Sequence, residues 1–126
     1  MPATSEKPAM LLRAIPSTGE RLPVVGCGTW QTFDVGFSDG ELEGPKQVLS
    51  ELFASGGSLI DSSPMYRRAE AVVGEVLTRN FRRSQTFLAT KVWTTGRAAG
   101  IAQMEQSFRL LKTEVIDLMQ VHNLLD

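Results

Sequence analysis

The sequence predicts an α/β fold: a parallel sheet of the (β/α)8 TIM-barrel type, truncated to about its first four strands, with a β-hairpin in front. Three observations predict it. Short apolar runs alternate with amphipathic helical stripes along the chain, which lays strands parallel with right-handed crossovers. The runs ending at Asp61, Lys91 and His122 each close on an ionisable residue. A small doubly wound sheet would place its ligand at one switch point, whereas a barrel gathers side chains from the carboxyl ends of successive strands. Three consecutive strands ending this way favour the barrel.

Taken in order, residues 1–8 are small and polar and are expected to form a flexible N-terminus, leaving 9–126 for the partial barrel. Met10–Ile15 and Arg21–Val24 flank the turn-rich Pro16–Glu20 and predict the hairpin. Val24–Trp30 reads as a buried strand opening into a glycine-containing loop, and Thr32–Glu43 as a loop. A helix follows, with Pro45 in its first turn, Val48, Leu49, Leu52 and Phe53 as its stripe, and Gly56 as its stop. Ser58–Asp61 is the next strand, halted by Pro64. Ala69, Val72, Val73, Val76 and Leu77 then recur at helical spacing up to Asn80. Thr86–Val92 is a strand, Thr94–Gly96 a break, and Ile101, Met104, Phe108 and Leu111 a third helical stripe. Val115–His122 is the last strand.

Composition narrows the function. The 126 residues carry a net charge of −1 and 42% hydrophobic side chains. Without a basic patch, nucleic acid and anionic membrane are poor partners, and no apolar run is long enough to span a bilayer. Cys27 is the only cysteine, which excludes an internal disulfide and fits a reducing, cytoplasmic setting. It reads as a small core residue, since no neighbour in sequence would activate it. No metal-ligating set is assigned.

Each strand-end residue has a plain structural explanation. Asp61, Ser62 and Ser63 are all good helix caps; Tyr66 could be half-buried in the core; Lys91 could be a surface charge; a lone histidine is usually structural. Together they are harder to dismiss. A lysine closing a buried strand needs a counter-ion, and Asp61 is the obvious one. A phenol titrates near ~10, and an ammonium alongside favours its phenolate, easing proton transfer. With Tyr66 as acid, Lys91 as tuner, Asp61 as its anchor and His122 orienting a carbonyl oxygen, the set suits reduction of an aldehyde or ketone to an alcohol. None of these groups can supply a hydride, so a nicotinamide cofactor must.

At these positions the sequence resembles the aldo-keto reductase family over nearly its whole length. Gly26–Trp30 is similar to the first-strand signature of that family, Ile60–Tyr66 to the second, Ala89–Trp93 to the third and Ile116–Asn123 to the fourth. The resemblance implies a catalytic tetrad of Asp61, Tyr66, Lys91 and His122, with NADP(H) as hydride carrier. It implies that Gly28, Thr29, Trp30, Asp61 and Asn123 lie along the cofactor. Trp30, Tyr66, Trp93 and His122 would face a small-molecule carbonyl substrate. For the tryptophans the competing expectation is ordinary core packing.

Two departures from the family pattern stand out. Arg67 takes the place of a usual glycine and is expected to disfavour a positive φ there; its bulk would displace Tyr66, or its charge would favour the phenolate further. Cys27 replaces a larger apolar residue. A complete barrel takes roughly 250 residues and grips phosphate with the loops after its seventh and eighth strands. The chain is therefore expected to be the N-terminal half of such a reductase, from a truncated or split frame, and weakly active or inactive alone. Its open sheet edges could drive self-association. The alternative is a non-catalytic binding or regulatory half-barrel module that works only with a partner.

Overall fold

A hairpin and a four-stranded parallel sheet carry the chain from residue to residue with no change of direction in strand order. The structure is a computed structural model that describes residues 9–80 and 82–124; the expected flexible segment 1–8 lies outside the described residues. Strands β1 (Leu12–Ala14) and β2 (Arg21–Pro23) pair antiparallel, with Leu12 opposite Pro23. Strands β3 (Cys27–Gly28), β4 (Leu59–Asp61), β5 (Phe87–Val92) and β6 (Leu118–Val121) follow side by side in the order β3-β4-β5-β6, all parallel. The hairpin shares a hollow with Leu59, at the amino end of β4.

Helices α1 (Asp39–Ala54), α2 (Ala69–Arg79) and α3 (Arg97–Leu110) fill the three crossovers. Their buried residues meet one face of the sheet. Ile60 and Leu88, paired neighbours in β4 and β5, are fully enclosed with Leu49, Val72, Val73, Val76, Leu77 and Leu111. Because side chains alternate across a strand, Asp61, Lys91 and Gln120 are directed to the other face. At the amino end, Asp117 Oδ2 accepts the Leu88 N–H at 2.8 Å and lies 3.3 Å from Arg83 Nη2, tying the start of β6 to β5.

The first helix starts earlier than its proline suggests. The segment Thr32–Glu43 is not all loop, and Pro45 sits inside α1 rather than in its first turn. The cause is a reciprocal cap: Ser38 Oγ accepts the Glu41 N–H, and the Glu41 carboxylate accepts the Ser38 N–H. Pro45 forfeits one backbone donor there, offset by its burial against the core. Val48 and Ile101, expected on buried stripes, are about half exposed. Leu42, Pro45 and Leu49 carry the buried face of α1 instead. Gly56, at φ 89, ends α1 as expected.

The α2 prediction, Ala69 to an end at Asn80, matches the helix: Asn80 caps it and donates its side-chain amide to the Val76 carbonyl at 2.7 Å. Gly74 on the same helix has a packing role: a Cβ there would collide with the Leu110 carbonyl and Leu111 backbone. Strands are shorter than their apolar runs, and His122 lies one residue beyond β6. No helix among the described residues is long and apolar enough to cross a membrane.

Candidate active site

The carboxyl ends of β4, β5 and β6 bring the four strand-end residues together. Lys91 Nζ lies 2.6 Å from Asp61 Oδ2 and donates to the Ser62 carbonyl at 2.8 Å. Most of the Lys91 side chain is buried, so the pair that the sequence required as a counter-ion is present where desolvation demands it. The ammonium stands 5.1 Å from the centre of the Tyr66 ring. Tyr66 in turn meets His122 edge-on, with ring centres 5.8 Å apart and planes at 83°.

The second-strand hydroxyls hold this arrangement from behind. Ser63 Oγ sits 3.0 Å from His122 Nδ1 and accepts the Met65 N–H at 3.1 Å. With Nδ1 engaged, Nε2 is the ring nitrogen left to meet a ligand. Thr29 is fully buried, its hydroxyl 3.0 Å from the Asp61 carbonyl oxygen and 2.9 Å from Ser62 Oγ. Its side chain thus braces β3 against β4, while Gly28 and Trp30 on either side of it are exposed.

Two residues that the sequence reading passed over belong to the site. Gln120 donates to Asp61 Oδ1 at 2.9 Å and reaches the Thr90 carbonyl at 3.4 Å. Asp61 is therefore held on both oxygens, by an ammonium on one and an amide on the other. The alternation in β6 that puts His122 on the inner face puts Gln120 there too, and a polar residue within an apolar strand was the available signal. Gln103 on α3 clamps the Trp93 backbone, accepting its N–H at 2.6 Å and donating to its carbonyl at 3.1 Å. A glutamine on a helix carries no such signal in one sequence.

Both tryptophans are exposed, Trp30 at 62% and Trp93 at 45%, so neither is a core residue. They line separate hollows, one reaching Tyr66 and the other His122. One, of about 450 Å³, is bounded by Trp30, Gln31, Asp34, Met65, Tyr66 and Arg67. The other, of about 430 Å³, includes Trp93, His122 and Asn123. Arg67 corrects an expectation: it adopts φ 53 despite its side chain. Its bulk does not push Tyr66 from the cluster, and its guanidinium turns toward Asp34, at 3.9 Å. Cys27 is half-buried, and burial pushes its thiol up, away from nucleophilic use.

Known proteins resemble this chain in sequence and in fold. A sequence model described as the Aldo/keto reductase family matches residues 24–124. Glycerol 2-dehydrogenase (NADP(+)) of Saccharomyces cerevisiae is 30% identical over 97% of this chain and 36% of its own. Methylglyoxal reductase YeaE of Escherichia coli is 37% identical over 80% of this chain and 35% of its own. A crystal structure of an aldo-keto reductase from Klebsiella pneumoniae in complex with NADPH superposes at a TM-score of 0.74 with 28% identity, over 93% of this chain and 41% of the other. The chain thus spans about a third of the length of the curated relatives it matches.

Proposed function

The chain belongs to the aldo/keto reductase family, and from that membership we propose that it serves NADP(H)-dependent reduction of aldehydes or ketones to alcohols in a cytoplasmic setting. The observation that carries the proposal is the Asp61–Lys91 pair set against the face of Tyr66, with His122 at the ring's edge. NADP(H), when bound, supplies the hydride. The Tyr66 hydroxyl delivers the proton to the carbonyl oxygen as negative charge builds there, so that one C–H and one O–H bond replace the C=O π bond. The Lys91 ammonium stabilises the charge left on the phenol oxygen. Asp61 fixes that ammonium in place, and His122 Nε2 donates a hydrogen bond that orients the carbonyl.

The rim suits the nicotinamide end of the cofactor. Gly28 has open space where a Cβ would stand, and Asn123 is exposed next to His122. Thr29, fully buried with its hydroxyl, N–H and carbonyl all engaged, would shape the rim rather than touch the cofactor. The hollow holding Trp93, His122 and Asn123 offers no lysine or arginine for phosphates. With four parallel strands and no phosphate grip on that hollow, the 126 residues on their own are expected to bind NADPH weakly and turn over slowly.

The test is NADPH consumption with a generic aldehyde, for the wild type and Tyr66→Phe. Loss of activity in the variant supports reduction; equal rates in both remove Tyr66 from the reaction. A second reading is favoured by the bare sheet edges. Val121 of β6 is more than half exposed, and among the described residues β3 and β6 each pair on one side only. A non-catalytic module that pairs with itself or a partner would show no turnover in either protein, together with a defined oligomer.

A further inference from the structure

We infer that the hollow beside Tyr66 selects carbonyl compounds bearing a carboxylate or phosphate, with Arg67 as the group that receives the anion. The inference rests on the reductase reading and adds a substrate class to it. Arg67 bounds the same hollow as Trp30 and the Tyr66 phenol, so an anion reaching it would belong to a molecule whose carbonyl can approach the acid.

The local charges leave that guanidinium available. Asp34 is the carboxylate facing it. Arg68 already occupies Asp34 Oδ1, with Nε at 2.9 Å and its backbone N–H at 3.4 Å. Those hydrogen bonds hold the Asp34 carboxyl below its ordinary range. Arg67 Nη1 stands 3.9 Å from Asp34 Oδ2, beyond hydrogen-bond length, with its side chain 85% exposed. Arg68 also feels the Glu41 carboxylate, and Arg67, which makes no hydrogen bond to Asp34, keeps its N–H fork open to an anion. Asp34 orients Arg67 without neutralising it.

The backbone adds a second, independent observation. Gln31 at φ 62 and Arg67 at φ 53 are both left-handed non-glycine residues, and both line this hollow. Such conformations are uncommon for long side chains and concentrate where a site requires a particular direction. Arg67 thus stands at the rim of the hollow in a conformation that usually favours glycine.

The experiment compares 4-oxobutanoate with butanal, an anionic and a neutral aldehyde of equal carbon count, on the full chain. Binding is followed at the indole N–H resonance of Trp30, one of two tryptophans. Wild type is expected to hold the anion about fivefold more tightly, a preference that shrinks in high salt. Arg67→Met should abolish the difference, and Arg67→Lys should keep part of it. No binding, no preference, or a preference that survives Arg67→Met overturns the inference. NADPH oxidation, measured alongside, separates the two readings. Preference without turnover leaves the anion site standing and removes the reductase, whereas turnover without preference does the reverse.

Discussion

Asp61 shows how much a single carboxylate is asked to do. Its two oxygens take Lys91 and Gln120, at 2.6 and 2.9 Å, so removing either partner frees the other to move. Gln120→Leu deletes the amide while leaving the ion pair. It is expected to lower kcat roughly tenfold with little change in aldehyde KM, because a displaced Lys91 affects the proton transfer rather than substrate binding. Gln120→Glu should do worse, since a second carboxylate would compete for the same ammonium. Steady-state NADPH oxidation with thermal melts on both variants checks this. The cluster can also be examined without turnover. Tyr66 is the only tyrosine and His122 the only histidine, so an Overhauser contact between the two ring systems reports their edge-on approach unambiguously. Its absence in solution would dissolve the proposed site.

Between the sheet and the helices, Glu70 sets the pH response. It is buried on α2, its Oε2 accepting the Thr90 hydroxyl at 2.8 Å, while Oε1 has no well-formed hydrogen bond among the described residues, the Ser107 hydroxyl being its neighbour. Burial raises this carboxyl above its ordinary value of 4.5, with hydrogen bonding and the Lys91 charge only partly opposing the shift. The folded state then holds a proton that the unfolded chain has released, so stability contributed by this group falls as pH climbs from 4.5 through the raised value. Glu70→Gln should flatten that fall, and the Tm difference between variant and wild type should grow with pH over this window. A difference independent of pH would mean that Glu70 stays charged. The same element shows what one sequence reveals. The α2 stripe was legible because apolar spacing follows directly from burial, and Asp61, Lys91 and His122 were legible because strand ends are marked by charge. Glu70 lies on that buried face as a polar exception, and Gly74 meets a backbone from a distant segment, which no local pattern encodes. The start of α1 differs from its expectation for another reason: Pro45 gives an opening signal in sequence, whereas the Ser38–Glu41 capping spacing fixes where the helix begins.

For the whole molecule the decisive feature is an open sheet. A closed barrel has no edges, whereas here β3 and β6 each present one unpaired side among the described residues. The inner face that carries Asp61, Lys91 and Gln120 stands beside these edges, so anything that paired with them would change how dry the site is. We expect the isolated 126-residue chain to associate through β6, where Val121 is 61% exposed and Leu118 is 44% exposed. Val121→Lys places a charge on that edge and should shift the protein toward monomer at a given concentration, measured by sedimentation velocity, with the far-ultraviolet helix signal unchanged. Val121 alternates to the side of the strand opposite Gln120 but borders the hollow of Trp93 and His122, so association rather than activity is the readout of this variant. If the variant associates as the wild type does, the contact lies elsewhere and β3 becomes the edge to charge next. If both are monomeric, the open sheet is stable without a partner, and the module reading loses the observation that favours it.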